Sequence, residues 1–373
     1  MKQLILHIIF LSLLPLVLMG QEKSDAYYES IQPYLYENPD KAIAIAKQKI
    51  SEEQNIDNKI KYHLYLSKAY TAKRNFDESF KSLLEAKELL KSSTNIESKI
   101  DVLILIAIQY QQMELFNKCF ETLDEVDSIC NNLDQTFSDK KYSWLGKIFA
   151  IRGIIYKSTE NYDIALEKFF KSLENLSKAP QTIPNINNTS IVYYNIGYSY
   201  LSLNKTDEAE NYFIKSIEYA KSSKAISLEA YALKGLGDNY FIKNEYLLAI
   251  ENLENAKLKA QNIGDLVLNE GIYKGLADNY LSTSNFERYI LNNELYKKTQ
   301  FEREQNELKS INSLVNNLSE NSKIEINKTK ENYWIINSII IFLSIAISVI
   351  LLFRIKRNLK ENYIKQKRIN EII

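Results

Sequence analysis

The sequence predicts an all-α chain, a stack of helix pairs followed by one membrane-crossing helix. Three observations carry that prediction. Gly (9) and Pro (5) are scarce among 373 residues, where an average chain holds roughly 12% of the two together. Sandwiches, collagen-like repeats and flexible linkers need those residues at their turns. A seven-residue block, Lys234–Tyr240 (KGLGDNY), returns forty residues later as Lys274–Tyr280 (KGLADNY). Finally, Trp334 to Phe353 runs without a charge, long enough to span about 30 Å as a helix.

The N-terminal segment comes first. In residues 1–20, Lys2 precedes an apolar run from Leu4 to Leu14, then Pro15, with Gly20 before Gln21. This is the layout of a secretory signal peptide. An uncleaved anchor is the other reading, and it too leaves the following residues outside the cytoplasm. The absence of a following cysteine argues against a lipoprotein anchor.

The middle of the chain repeats. A small residue recurs at Ser67, Ala107, Gly153, Gly197, Gly237 and Ala277, with a tyrosine three later each time, from Tyr70 to Tyr280. Twelve after the small residue stands another, at Ser79, Cys119, Ala165, Ala209 and Ala249, with Tyr289 the exception. Four further on come Leu83, Leu123, Phe169, Phe213 and Leu253. Paired helices explain the pattern, because small residues facing each other let two helices approach closely while larger ones fill the space beside them. Asn75 and Asp77, like Asn161 and Asp163, fall where a second helix starts and suit its free backbone N–H groups.

The pattern resembles the tetratricopeptide repeat family. Tyr193, Ile196, Gly197, Tyr200, Ala209, Phe213 and Ser216 fit its signature, as do Leu233, Leu236, Gly237, Tyr240, Ala249, Leu253 and Ala256. The resemblance covers about three quarters of the chain. It implies a right-handed α-solenoid over 21–300, with six units at about 60–302 and a degenerate unit at 26–50 around Ala42 and Ala46. Two departures stand out. The spacing is 40 to 46 residues instead of 34, which requires longer helices or connections. The prolines that usually end each unit are missing. The longest non-helical connection is expected at 179–190.

The resemblance also implies a concave surface, lined by first helices, that holds an extended peptide or a partner helix. The positions so placed are Tyr194, Tyr198, Tyr231, Lys234, Asp238, Lys274 and Asp278. Tyrosine offers wide contact area at small entropy cost. The competing reading is plain packing, with Lys–Asp pairs at i, i+4 contributing a few tenths of a kcal/mol. The family's carboxylate-clamp set is not reproduced.

Residues 301–332 read as a juxtamembrane helix. Phe301, Leu308 and Val315 recur at sevens with Ile311 and Leu318 between them, and a cap on the solenoid is favoured over a short coiled coil. Tyr333 and Trp334 suit a membrane interface, and Ser344 and Ser348 form a small-xxx-small pair. The span is set at 334–353. The tail, 354–373, carries seven Lys or Arg against Glu361 and Glu371, while 320–333 balances three Lys against three Glu. The positive-inside rule therefore puts the tail in the cytoplasm and the solenoid outside it, periplasmic or extracellular.

Little in the chain points to catalysis. Outside the leader there is one histidine, His63, at a packing position. Cys119 and Cys130 are eleven apart on one predicted helix, about 16 Å of rise, too far for a disulfide. No phosphate loop, HExxH or GxSxG occurs. No enzyme activity, cofactor or metal is expected. The formal net charge is zero, and nucleic acid is not an expected partner.

Two functions are in play. The first is a membrane-anchored interaction module binding a peptide or protein outside the cytoplasm. The second follows from the overall layout, which resembles bacterial sensor regulators without their output domain. It makes the chain the input part of a signalling system, with output lost or on a partner, and a homodimer through 301–353.

Overall fold

The structure, a computed structural model, describes residues 31–370. Residues 1–20 and the start of the degenerate unit, 26–30, lie outside them. Among the described residues there are 14 α-helices and no strand. The chain divides into two compact units, one through Ile311 and one from Asn312.

In the first unit the helices come in antiparallel pairs. A short α1 (Tyr34–Glu37) and α2 (Pro39–Glu52) form the degenerate unit. Then follow α3 (Ile56–Ala72) with α4 (Phe76–Leu89), α5 (Ile96–Gln112) with α6 (Phe116–Asn131), and α7 (Ser138–Ser158) with α8 (Tyr162–Lys178). After these come α9 (Ile183–Ser202) with α10 (Thr206–Ser222), and α11 (Ile226–Ile242) with α12 (Tyr246–Ala260). The last pair is α13 (Leu266–Ser282) and the start of α14 (Phe286–Asn370). The long repeat spacing is thus a property of the helices. Four of the six first helices have 17 residues, whereas the turn inside each pair is three.

Those turns share one geometry. Arg74, Glu114, Glu160, Asn204, Asn244 and Ser284 all have positive φ, between 57° and 63°. The next residue's N–H returns to the carbonyl of the recurring tyrosine, as from Asn75 to Tyr70 (2.9 Å), Asn161 to Tyr156 (2.8 Å) and Asn285 to Tyr280 (2.8 Å). The left-handed residue itself bonds back three, as Glu160 does to Lys157. Six Schellman caps thus close the first helices without a glycine.

Helix starts follow the sequence in part. Asn38, Asn55, Asn75, Asn95 and Asp265 each accept a first-turn backbone N–H. Asn161 does not, since its amide donates to the Thr159 carbonyl. The connection expected over 179–190 is corrected to 179–182, because α9 starts at Ile183. Pro184 sits in its first turn, where a missing N–H costs no bond.

The facing small residues bring backbones close enough for side chains to bond across. Ser79 Oγ donates to the Ser67 carbonyl at 2.9 Å, and Cys119 Sγ to that of Ala107 at 3.1 Å. Fully buried Phe169, Phe213 and Leu253 lie over Gly153, Gly197 and Gly237. Both cysteines are free and buried in α6, and burial lifts their thiols to about 12 and about 11.

In the second unit α14 continues to Asn370 with no helix boundary at 333 or 353. The stretch 333–362 is long and apolar enough to cross a membrane. Trp334, Phe342 and Phe353 are more than 70% exposed, and Ile339, Ile340 and Ile341 are exposed in succession around the helix. Ser344 and Ser348 Oγ donate to the carbonyls four residues back, at 2.8 and 2.9 Å. The side chains of Ile311, Val315 and Leu318 lie outside the described residues.

Candidate binding groove

Five of the seven sequence-selected residues form one cluster. Positions four apart on a helix share a face, which places Tyr194 with Tyr198 on α9 and Lys234 with Asp238 on α11. Tyr231 adds one more turn of α11. The ring of Tyr194 is 4.9 Å from that of Tyr198 and 5.7 Å from that of Tyr231, both edge to face. Tyr198 OH donates to Asp238 Oδ2 at 2.7 Å. Lys234 Nζ donates to the same oxygen at 2.6 Å and to Tyr198 OH at 3.0 Å. Tyr231 OH donates to Asp265 Oδ2 at 2.6 Å. The remaining two, Lys274 and Asp278, lie on α13 at the edge of the cluster. Lys274 is exposed and Asp278 half-buried.

Burial and the adjacent carboxylates hold the Tyr198 and Tyr231 phenols well above their ordinary range. Both hydroxyls therefore stay donors at neutral pH. Burial alone would lower Lys234, but the Asp238 charge outweighs it and the ammonium is held above its usual value. Asp278 is raised by burial, against the pull of Lys274.

The sequence reading missed Lys157, four residues beyond Gly153. Its Nζ donates to Asn195 Oδ1 at 2.6 Å and lies 5.7 Å from the Tyr198 ring centre. Burial, then the charge of Lys234, lowers it to about 8. Lys68 is also brought to about 8 by burial and by Lys147. Its place one residue after Ser67 matches that of Tyr198 after Gly197. That register was the signal available in the sequence.

Lys234 and Lys274 also line a cavity of about 690 Å³, within the size range of small-ligand pockets. Gly271 makes room for Lys234, since a Cβ there would come 2.8 Å from its Cε. The rest of its lining comes from far along the chain. Arg74 and Glu114, from the first two full pairs, line it together with Glu270 of α13 and Arg303 and Glu307 of α14. Glu307 Oε1 accepts from Arg74 Nε at 2.8 Å, and its Oε2 from Arg303 Nη1 at 2.7 Å. Arg303 pairs in turn with Glu270. Among the described residues, no group of three or more His, Cys, Asp or Glu is placed to hold a metal ion. His63 packs in the core with Nδ1 3.3 Å from Glu85 Oε2, and burial lowers its pKa.

No protein-family model and no curated protein matches the chain. Solved structures do. NprR in complex with its cognate peptide NprX is 13% identical with a TM-score of 0.51, over 72% of this chain and 77% of that one. The fold is a tetratricopeptide-type solenoid. The apo quorum sensor NprR from B. thuringiensis is 20% identical with a TM-score of 0.49, over 71% of this chain and 69% of that one. A Rap protein complexed with Competence and Sporulation Factor is 13% identical, TM-score 0.48, over 76% of this chain and 99% of that one. The cluster lies on α9 and α11, first helices of the later pairs.

Proposed function

We propose that this chain is a membrane-anchored, non-enzymatic interaction module that binds a peptide or protein partner in the solenoid groove. The observation that carries the reading is the Tyr194–Tyr198–Tyr231 cluster with Lys234 and Asp238, set beside a charged cavity. Aromatic faces with oriented donors and acceptors suit an extended backbone. The solved NprR structure of similar fold holds its cognate peptide NprX, which agrees with this reading. The apolar side chains exposed around 334–353 support lipid as their surroundings, and the back-bonded serines leave no hydroxyl unsatisfied there. The charge asymmetry of the flanks supports a solenoid outside the cytoplasm with 354–373 inside. Neither a cofactor nor nucleic acid enters this reading.

The test is retention of a fluorescein-tagged random octapeptide pool by the immobilised full chain in detergent micelles. Lys274→Glu with Asp278→Lys, at the exposed edge, is expected to change which peptides are retained. Tyr194→Ala with Tyr231→Ala is expected to lower retention about tenfold, roughly 1.4 kcal/mol. Unchanged retention in both variants rejects the groove. Protease added to intact spheroplasts is expected to cut within 60–300 and spare the tail, and the reverse pattern rejects the orientation.

A second reading is favoured by one feature, the continuity of α14 from the last repeat through the apolar stretch. A helix continuous in that way suits a sensor input that passes a ligand signal to a separate output partner, with pairing of two copies through 301–353. Cross-linking in membranes that finds monomer alone rejects it.

A further inference from the structure

The ion pairs on the cavity wall differ from ordinary surface pairs. Arg74, Glu307, Arg303 and Glu270 retain only 23%, 18%, 21% and 17% of their side-chain exposure. Glu307 is shared by two guanidinium groups, one of them 233 residues away. One turn further along α14, buried Ser310 accepts the Asp77 N–H at 2.8 Å and donates to Asp77 Oδ1 at 3.2 Å. Glu307 and Ser310 of α14 are therefore fastened, as two neighbouring points, to the α3–α4 turn and the beginning of α4.

A guanidinium presents a fixed fork of donors matched to a carboxylate. Here the chain's own Glu307 fills the fork of Arg74. A peptide carboxylate that takes the Nε–Nη2 side of Arg74 must displace Glu307. A carboxylate that does so leaves Arg74 paired, whereas a cationic group leaves two like charges in a half-buried site. Lys274, exposed and lining the same cavity, adds a second cation for an acidic ligand.

We propose that Glu307 is an internal stand-in for a ligand carboxylate: an acidic peptide entering the cavity takes Arg74 from Glu307 and frees α14 from the first full repeat. The proposal rests on the groove reading above and adds the ligand's charge and the consequence of its binding. Clasp and loaded cavity exclude each other, so the closed clasp lowers apparent affinity by the fraction of chains it holds.

The experiment uses the full chain in micelles and two tagged octapeptide pools. One contains Asp and Glu and keeps its C-terminal carboxylate, and the other lacks both residues and is amidated. The parent is expected to retain the acidic pool in preference. Glu307→Gln, which removes the competing charge, is expected to raise retention of that pool about tenfold. Arg74→Gln is expected to abolish the preference. A Cys pair at Asp77→Cys and Ser310→Cys keeps the test independent of lost side-chain contacts. When oxidised it should retain little of the acidic pool, and reductant should restore retention in the same sample. Equal retention of both pools, unaltered by Glu307→Gln and Arg74→Gln, overturns the proposal and leaves the groove reading standing. Failure of either pool to bind any variant, the reduced Cys pair included, overturns both. Full retention by the oxidised pair overturns the mutual exclusion.

Discussion

Phe213 lies between two glycines, Gly197 on its own partner helix and Gly235 on the next first helix. The ring is fully buried. A methyl at Gly235 would come 2.7 Å from Cδ1 of that ring, and a close-packed interior has no slack to absorb it. Gly235→Ala is expected to cost about 1–3 kcal/mol of stability by overpacking, measured by urea unfolding. Lys157 gives a prediction with a sign. Its pKa falls from 10.5 unfolded to about 8 folded, so folding opposes its protonation. Above 10.5 the group is neutral in both states and the opposition vanishes. It builds up as pH falls through that window and is complete below about 8. Lys157→Met is thus expected to gain stability over the parent as pH drops from 10.5 to 8, with a constant difference below that. Denaturant titrations at several pH values read this directly, and a pH-independent difference rejects it. The tyrosine cluster was legible because its members share a register with the small residue. Arg74, Glu270, Arg303 and Glu307 were not, since what joins them is the return of α14 to the first full repeat, which no local spacing records.

At the scale of the element, the repeat fixes where helices pair and says little about how their turns are made. The six left-handed turn residues carry side chains that give no hint of positive φ, Asn204 and Asn244 apart. A residue with a Cβ in that region is strained by roughly 1 kcal/mol, part of which glycine returns through its greater freedom in the unfolded chain. Glu160 is exposed, and Glu160→Gly is expected to raise stability by about 0.5 kcal/mol, seen as a higher denaturation midpoint. A lower midpoint would mean that the Glu160 side chain contributes more than its backbone strain. Helix starts were legible where Asn or Asp precedes the first turn. The Asn161 amide instead bonds to Thr159, a local competition that residue type does not decide. The connection expected over 179–190 ends at 182 because Pro184 falls in the first turn of α9, where a proline starts a helix.

For the whole molecule, a solenoid is a chain of neighbours, and stability passes from each repeat only to the next. The Arg74–Glu307 and Asp77–Ser310 contacts add a tie across 233 residues. Glu307→Gln is therefore expected to speed exchange of the Asp77 amide about tenfold, detected by hydrogen exchange and mass spectrometry of the 73–80 segment. A chain with neighbour coupling alone would leave that segment unchanged. The solenoid was legible because it repeats, whereas the tie occurs once and left no pattern to read. The six turns have a further consequence. With glycine at each, that edge of the stack would be bare. Instead Arg74, Glu114, Glu160, Asn204, Asn244 and Ser284 stand along it one repeat apart, and the first two already border the cavity. The backbone bonds that close each turn come from main-chain atoms and do not depend on which side chain is displayed. The edge works like the teeth of a key, since one tooth can be recut without bending the blade.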